Sequence, residues 1–303
     1  MNPFGSRATR LVSTLAVVAV VSGACSGTAG SSPATSASSG GSAPSAASSG
    51  SPSFTTLTPG VLYVALTDGD LPEIAVGPNN TLIGTDGYWI TQFAQKYHLT
   101  LKLFPTTLPS EILAVNQGKV DLGTTAFYTA ARAQQVYYTY PFYQRTTGVW
   151  TLDSFNYTGP DSIKGKQIGE ETGYVWIPSE DTTFGTANVH IYTTIADTDQ
   201  ALLNGQVDAI IDGCSTGLPG FGAGSHVTCH PLSPGAYGWP DTLIQERAYN
   251  YVKCNNAGLA NALNQELSDL QASGAWKTET ATYNISDPLY VPTLTTPAQL
   301  CKP

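Results

Sequence analysis

Ala201-Leu202-Leu203-Asn204-Gly205-Gln206-Val207-Asp208-Ala209-Ile210-Ile211-Asp212 reads as the end of a helix, a glycine stop and a strand. Gly205 suits the stop because it lacks a Cβ and tolerates the left-handed turn that closes a helix. The apolar run that follows has strand length and ends in a lone acid. Working outward, the same alternation recurs. Upstream, Lys166–Gly169 predicts a strand, Tyr174–Glu180 a helix, Val189–Tyr192 a strand and Ile195–Asn204 the helix that Gly205 ends. An earlier run repeats the scheme with strands at Val61–Thr67, Leu99–Phe104 and Val120–Thr125. Its helices are Gly87–His98, with Asp86 as its cap, and Leu108–Gln117. Strands alternating with helices predict parallel sheets covered by helices. Two such runs joined near Gly148–Leu152 predict two lobes. Asn256–Ala272 adds a long helix with an apolar stripe at Leu259, Leu263, Leu267 and Leu270, stopped by Gly274.

The amino end sets the compartment. Arg7 and Arg10 precede an apolar run, Leu11–Val21, that ends in Ser22-Gly23-Ala24-Cys25. Eleven residues cover about 16 Å as a helix, roughly half a hydrocarbon core, so the run is too short to span. Charge, apolar centre and small residues together describe a secretory signal over residues 1–24. Small residues followed at once by cysteine resemble a bacterial lipobox, which implies cleavage before Cys25 and its acylation, although Ser22 stands where an aliphatic residue is usual. An ordinary cleaved signal is the alternative. Residues 26–53 are almost wholly Ser, Gly, Ala, Thr and Pro, too poor in apolar surface to fold, and predict a flexible tether behind the anchor. The expected organisation is therefore a signal over 1–24, an acylated cysteine and tether over 25–53, a first lobe from 54–150 and 250–303, and a second from 151–249.

The whole chain carries a formal charge of −9, and without residues 1–24 eleven basic residues face 22 acidic ones. No cluster of Lys or Arg exists to neutralise phosphates, which excludes nucleic acid as a partner. Cys214, Cys229, Cys254 and Cys301 remain after Cys25, and an even number outside the cytoplasm reads as disulfides. Of three pairings, Cys214–Cys229 closes a Gly-rich loop and Cys254–Cys301 ties down a Pro- and Thr-rich tail. A metal site from Cys214, His226, Cys229 and His230 is the weaker reading, because Cys229 and His230 are adjacent and rarely face one ion. Neither a metal nor a cofactor is expected.

Four stretches carry a family resemblance. Gly118-Lys119-Val120-Asp121-Leu122, then Thr129-x-x-Arg132-Ala133-x-Gln135-Val136 and Tyr140-Pro141-Phe142-Tyr143, resembles the first lobe of the polar-amino-acid family of bacterial solute-binding proteins. Ile163-Lys164-Gly165-Lys166-Gln167-Ile168-Gly169 and the opening stretch resemble its second lobe, and Leu270-Gln271-Ala272-Ser273-Gly274-Ala275-Trp276 its last helix. The resemblance implies an α/β, two-lobed periplasmic-binding-protein-like fold, each lobe an open and mostly parallel sheet flanked by helices, with the ligand in the cleft between lobes. It implies a monomer that binds a small polar solute outside the membrane and delivers it to the permease of an ABC importer. Such sheets bind ligands beyond the carboxyl ends of their strands.

By that resemblance Arg132 meets the ligand carboxylate, where a planar guanidinium matches two oxygens. Asp212, ending a strand of the other lobe, is placed to take an ammonium group, since a buried acid calls for a cation. The spacings from Asp121 to Arg132 and from Asp208 to Asp212 are each one residue shorter than the family's. Asp68 stands at the family's ligand-side aspartate, with Asp70 and Glu73 nearby. Thr125 offers a hydroxyl. Phe127 replaces a hydroxyl residue and Tyr174 a small one, so Phe127, Tyr128 and Tyr174 predict an aromatic wall suited to cation–π contact. Trp89 and Trp276 read as core.

Enzyme readings are weaker. Gly213-Cys214-Ser215-Thr216-Gly217 fits G-x-S-x-G, yet no acid lies between Ser215 and the last histidine, His230, so the triad order fails. A lyase or dehydratase of this fold, using cleft carboxylates on a small acid, is the enzymatic alternative, and a ligand-sensing lipoprotein is the other.

Overall fold

The computed structural model describes residues 54–214, 221, 224–283, 285 and 292–302. The signal, Cys25, the tether and Ser215 lie outside the described residues.

The principal strands are β1 (Val61–Leu66), β2 (Ala75–Gly77), β3 (Thr81–Ile83), β4 (Thr100–Pro105), β5 (Leu122–Phe127), β6 (Tyr137–Leu152), β7 (Ile168–Glu171), β8 (Val189–Tyr192), β9 (Ala209–Gly213), β10 (Val227–Pro231) and β11 (Gln245–Val252). The helices are α1 (Thr85–Lys96), α2 (Leu108–Asn116), α3 (Ala130–Ala133), α4 (Ile177–Phe184), α5 (Ile195–Leu203), α6 (Asp241–Ile244), α7 (Ala257–Ala272) and α8 (Ala275–Thr282). Nine of these strands make up two lobes. One lobe runs β4-β1-β5-β11-β6 and the other β6-β9-β7-β8, with β10 on the outer part of β6 and the β2–β3 hairpin apart. Within each lobe the inner pairs, β1 with β4 and β5, and β7 with β8 and β9, are parallel.

The lobes share β6. Its first part pairs antiparallel with β11 through Thr146, and its last residues pair with β9 and β10. The sequence reading marked only the Gly148–Leu152 end of this strand. Pro141 hides the rest, since it donates no backbone N–H and normally ends a central strand. The ladder accommodates it with register shifts around the Tyr249–Pro141 pair.

Each lobe has its own core. Leu62, Val64, Trp89, Phe93, Phe142, Leu259, Leu263, Leu267 and Trp276 fill the first. The α7 stripe packs there as its spacing predicts, and Trp89 Nε1 donates to Leu263 O at 3.1 Å. Val149, Ile163, Ile168, Trp176, Ile211 and Trp239 fill the second.

Most predicted elements lie within two residues of place, with informative exceptions. The helix assigned to Tyr174–Glu180 begins at Ile177, because Pro178 suits a first helical turn, where no intrahelical N–H is required. Asp86 sits inside α1 instead of capping it. Its buried carboxyl accepts from Asn250 Nδ2 at 2.6 Å and Thr125 Oγ1 at 3.4 Å. Burial raises it to about 7 despite those bonds.

Cys214–Cys229 and Cys254–Cys301 are disulfides, with Cα atoms 5.6 and 5.7 Å apart. Two of the four residues of the alternative metal grouping are thereby consumed, and His230 instead stacks on Tyr157 at 3.9 Å. Among the described residues no helix is long and apolar enough to cross a membrane.

Candidate functional site

The carboxyl ends of β1, β5 and β7 converge between the lobes, as parallel sheets require. There Thr67, Asp70, Thr125, Phe127, Arg132, Arg145 and Tyr174 enclose a cavity of about 10 Å³. That volume holds about one water, whereas small-molecule sites measure roughly 300 Å³ or more. Admitting a solute therefore requires the lobes to part.

Arg132 reaches this cavity from the short α3. Thr129 caps that turn by accepting the Arg132 backbone N–H at 3.1 Å. The guanidinium bonds only to carbonyls: Nη1 donates to Phe127 O at 2.9 Å, and Nη2 crosses to Gly173 O of the other lobe at 2.5 Å. No carboxylate lies within ion-pair distance of it among the described residues. Burial lowers its pKa, but a guanidinium stays charged in proteins. Gly173 makes this crossing possible. Its φ of +86° belongs to glycine, and a Cβ there would stand 2.6 Å from Pro109 Cγ on α2.

Arg145 was not singled out from the sequence, yet it is the electrostatic centre of the cleft. It is 4% exposed on the shared strand β6. Nη2 meets Asp212 Oδ1 at 2.6 Å, Nε meets Glu246 Oε1 at 3.1 Å, and Nη1 lies 3.6 Å from Glu73 Oε1. Its guanidinium carbon lies 5.3 and 5.7 Å from the Tyr143 and Phe127 ring centres. A Cβ on Gly213 would come within 2.0 Å of Arg145 Nε, so only glycine leaves room for this seat. The signal was present: Arg145 is the one charge in the run from Tyr137 to Leu152.

The predicted residues separate into groups. Arg132, Thr125, Phe127, Tyr174 and Asp70 come together at the cavity. Asp212 meets Arg145 and accepts the Gly213 N–H at 2.6 Å. Asp68 accepts the Val76 N–H at 2.8 Å and does not line the cavity. Tyr128 faces a different groove, described below. Glu73 is fully buried.

Carboxyls dominate the surroundings. Burial raises Asp70 to about 7, with Arg145 opposing the shift and Asp212 adding to it. Burial likewise raises Glu171 and Glu246 to about 8 and pushes Glu73 well up. Burial also raises Asp212, against the pull of Arg145. Burial alone would depress Arg145, but its acidic neighbours hold it well above the ordinary arginine value. The arrangement offers a carboxylate-seeking guanidinium on one side and surplus acid on the other. Among the described residues no His, Cys, Asp and Glu group has metal-binding geometry.

Comparison with solved structures shows the same architecture. The substrate-binding protein of an amino acid ABC transporter superposes with a TM-score of 0.65 at 18% identity, covering 74% of this chain and 99% of that one. A variant of ArgBP from T. maritima gives 0.64 at 18% identity, over 74% and 95% of the two chains. A histidine kinase sensor domain similar to periplasmic binding proteins gives 0.63 at 15% identity, over 78% and 98%. No curated protein matches the sequence. The family model for bacterial extracellular solute-binding proteins, family 3, matches residues 63–284. With that match, two lobes and a shared strand, the chain belongs to the bacterial extracellular solute-binding proteins of family 3.

Proposed function

We propose that this solute-binding protein captures an amino acid with a positively charged side chain and hands it to an ABC importer. The observation that carries the reading is the charge inventory of the cleft. Five buried carboxyls, Asp70, Glu73, Glu171, Asp212 and Glu246, stand against two guanidiniums, Arg132 and Arg145. Arg145 is engaged by acids, whereas Arg132 holds only carbonyls and is available to a ligand carboxylate. A cationic ligand group gives these buried acids a partner that favours their ionised form, and Phe127 and Tyr174 supply faces against which it rests.

Binding follows from hinge motion about β6 and β11. The ligand docks on Arg132, Thr125 and Asp70 of the first lobe while the lobes are apart. Closure then brings Tyr174 and the Arg145–Asp212 pair over it. Contacts made only in the closed form shift the equilibrium towards closure. The similar structures include proteins described with arginine and with lysine, which supports the ligand class. The protein releases its ligand unchanged. A single copy works at the outer face of the membrane, held through Cys25 and the tether that follows it.

A thermal-shift screen over amino acids, amines and small carboxylates tests the proposal. A ligand at one hundred times its Kd stabilises by about 2.7 kcal/mol. Arginine or lysine should raise the melting temperature most, glutamate not at all. A shift with glutamate alone would reject the assigned ligand charge.

A further inference from the structure

Successive residues of a strand point to opposite faces, so the shared ribbon of β6 and β11 has two surfaces. The Arg145–Glu246 pair faces the cleft cluster. Its neighbour in the ladder, Gln144–Arg247, faces the other way. On that other surface lies a groove of about 560 Å³, lined by Phe127 and Tyr128 of the first lobe, Val175 and Leu243 of the second, and Arg247 and Tyr249 of the ribbon. Its size falls within the range of small-molecule sites, roughly 300–1,000 Å³. The cleft cavity, at about 10 Å³, is far smaller.

The chemistry of the groove differs from that of the cleft. Its ribbon cation, Arg247, donates from Nε to Gln144 Oε1 at 2.8 Å and also contacts the Tyr249 hydroxyl. No carboxylate lies within 4.0 Å of it among the described residues. The one acid on the lining, Asp241, is exposed at the start of α6. Phe127, Tyr128 and Tyr249 put three aromatic rings on the lining, and aliphatic Val175 and Leu243 complete it. Gln144 holds the guanidinium in place through its neutral amide, which leaves the positive charge uncompensated. A partly buried guanidinium prefers a carboxylate, and rings on the same lining favour a flat apolar body.

We infer that this groove is a second ligand site, distinct from the cleft, for a small aryl carboxylate. The carboxylate meets Arg247 and the ring lies among Phe127, Tyr128 and Tyr249. An occupant touches both lobes and the ribbon at once. It therefore holds the lobes in their present relation without entering the cleft.

Calorimetric titration with 4-hydroxyphenylacetate tests this on the full chain, in the absence of amino acids. That probe lacks an ammonium group, so its outcome is independent of the ligand proposed for the cleft. Saturable one-to-one binding is expected. It should weaken at least tenfold in Arg247→Ala and in Thr242→Trp, which fills the groove and leaves the guanidinium intact. It should persist in Arg132→Ala. Absence of binding at millimolar probe overturns the inference. So does binding that survives Thr242→Trp, or that disappears in Arg132→Ala, since the probe would then occupy the cleft. If Arg247→Ala fails to fold, Thr242→Trp alone decides.

Discussion

Two guanidiniums line the same small cavity, and their surroundings differ. Arg145 is sunk in β6 among Asp212, Glu246 and Glu73, each within 3.6 Å. Arg132 projects from a single turn and bonds only to the carbonyls of Phe127 and Gly173. Carbonyl partners are readily exchanged for a ligand carboxylate, which takes the guanidinium's fork two-pronged and carries the opposite charge. A buried cation already ringed by acids has no such exchange to make. The contrast teaches that burial and charge alone do not mark a binding arginine; the partners do. Arg145 fixes the charge of the cleft and ties β6 to β9 and β11, while Arg132 is the group a ligand can claim.

The sharpest way to break this distinction is to remove each arginine in turn. Arg145→Met strands three acids without their cation and should cost about 3–5 kcal/mol of stability, read by urea unfolding. A loss below 1 kcal/mol would show that the cluster is solvated. Arg132→Ala should lower affinity for an amino acid at least one hundredfold, and cost less stability than Arg145→Met. Arg132→Lys should lose about tenfold, because the two-pronged geometry goes while the charge stays.

Titration sharpens the comparison from the acid side. Asp70, Glu171 and Glu246 are raised to about 7, 8 and 8 by burial, against roughly 4 in an unfolded chain. Between those values the folded protein binds protons that the unfolded chain has lost. Stability is then full below about pH 4 and declines as pH rises towards 8. The melting temperature should fall by about 5 °C or more between pH 5 and pH 8. Affinity for a cationic ligand should move oppositely, rising with pH as the carboxyls ionise. A flat melting profile would mean the acids are not buried in solution.

The smallest effect concerns the cross-lobe bond. Gly173→Ala strains a left-handed residue and sets a Cβ against Pro109. Affinity should drop about threefold to tenfold with the fold retained, by analogy with other strained substitutions of about 1 kcal/mol. Unchanged affinity would show that Gly173 does not approach α2 when the lobes close.

The sequence carried the layered architecture because periodicity and glycine stops are local signals. The α7 stripe, β8 and the Gly205 stop lie where the pattern places them. It carried less of β6, because Pro141 masks a strand that only a bulge rescues. In the site, Arg132 was legible through its surrounding motif. Arg145 stood out only as the lone charge of its strand, and its role was hidden because its partners Glu73, Asp212 and Glu246 lie far apart along the chain. Tyr128 illustrates the same limit. Its neighbour Phe127 lines both the cleft cavity and the groove, whereas Tyr128 lines the groove alone.

The most direct test of the account compares arginine with agmatine, its decarboxylated counterpart, by calorimetry on the wild-type protein and on Arg132→Ala. The account predicts that the wild type binds arginine at least one hundred times more tightly than agmatine. It predicts that Arg132→Ala erases the difference by weakening arginine alone. Equal discrimination by the two proteins would contradict it, because the carboxylate would then be held somewhere other than Arg132.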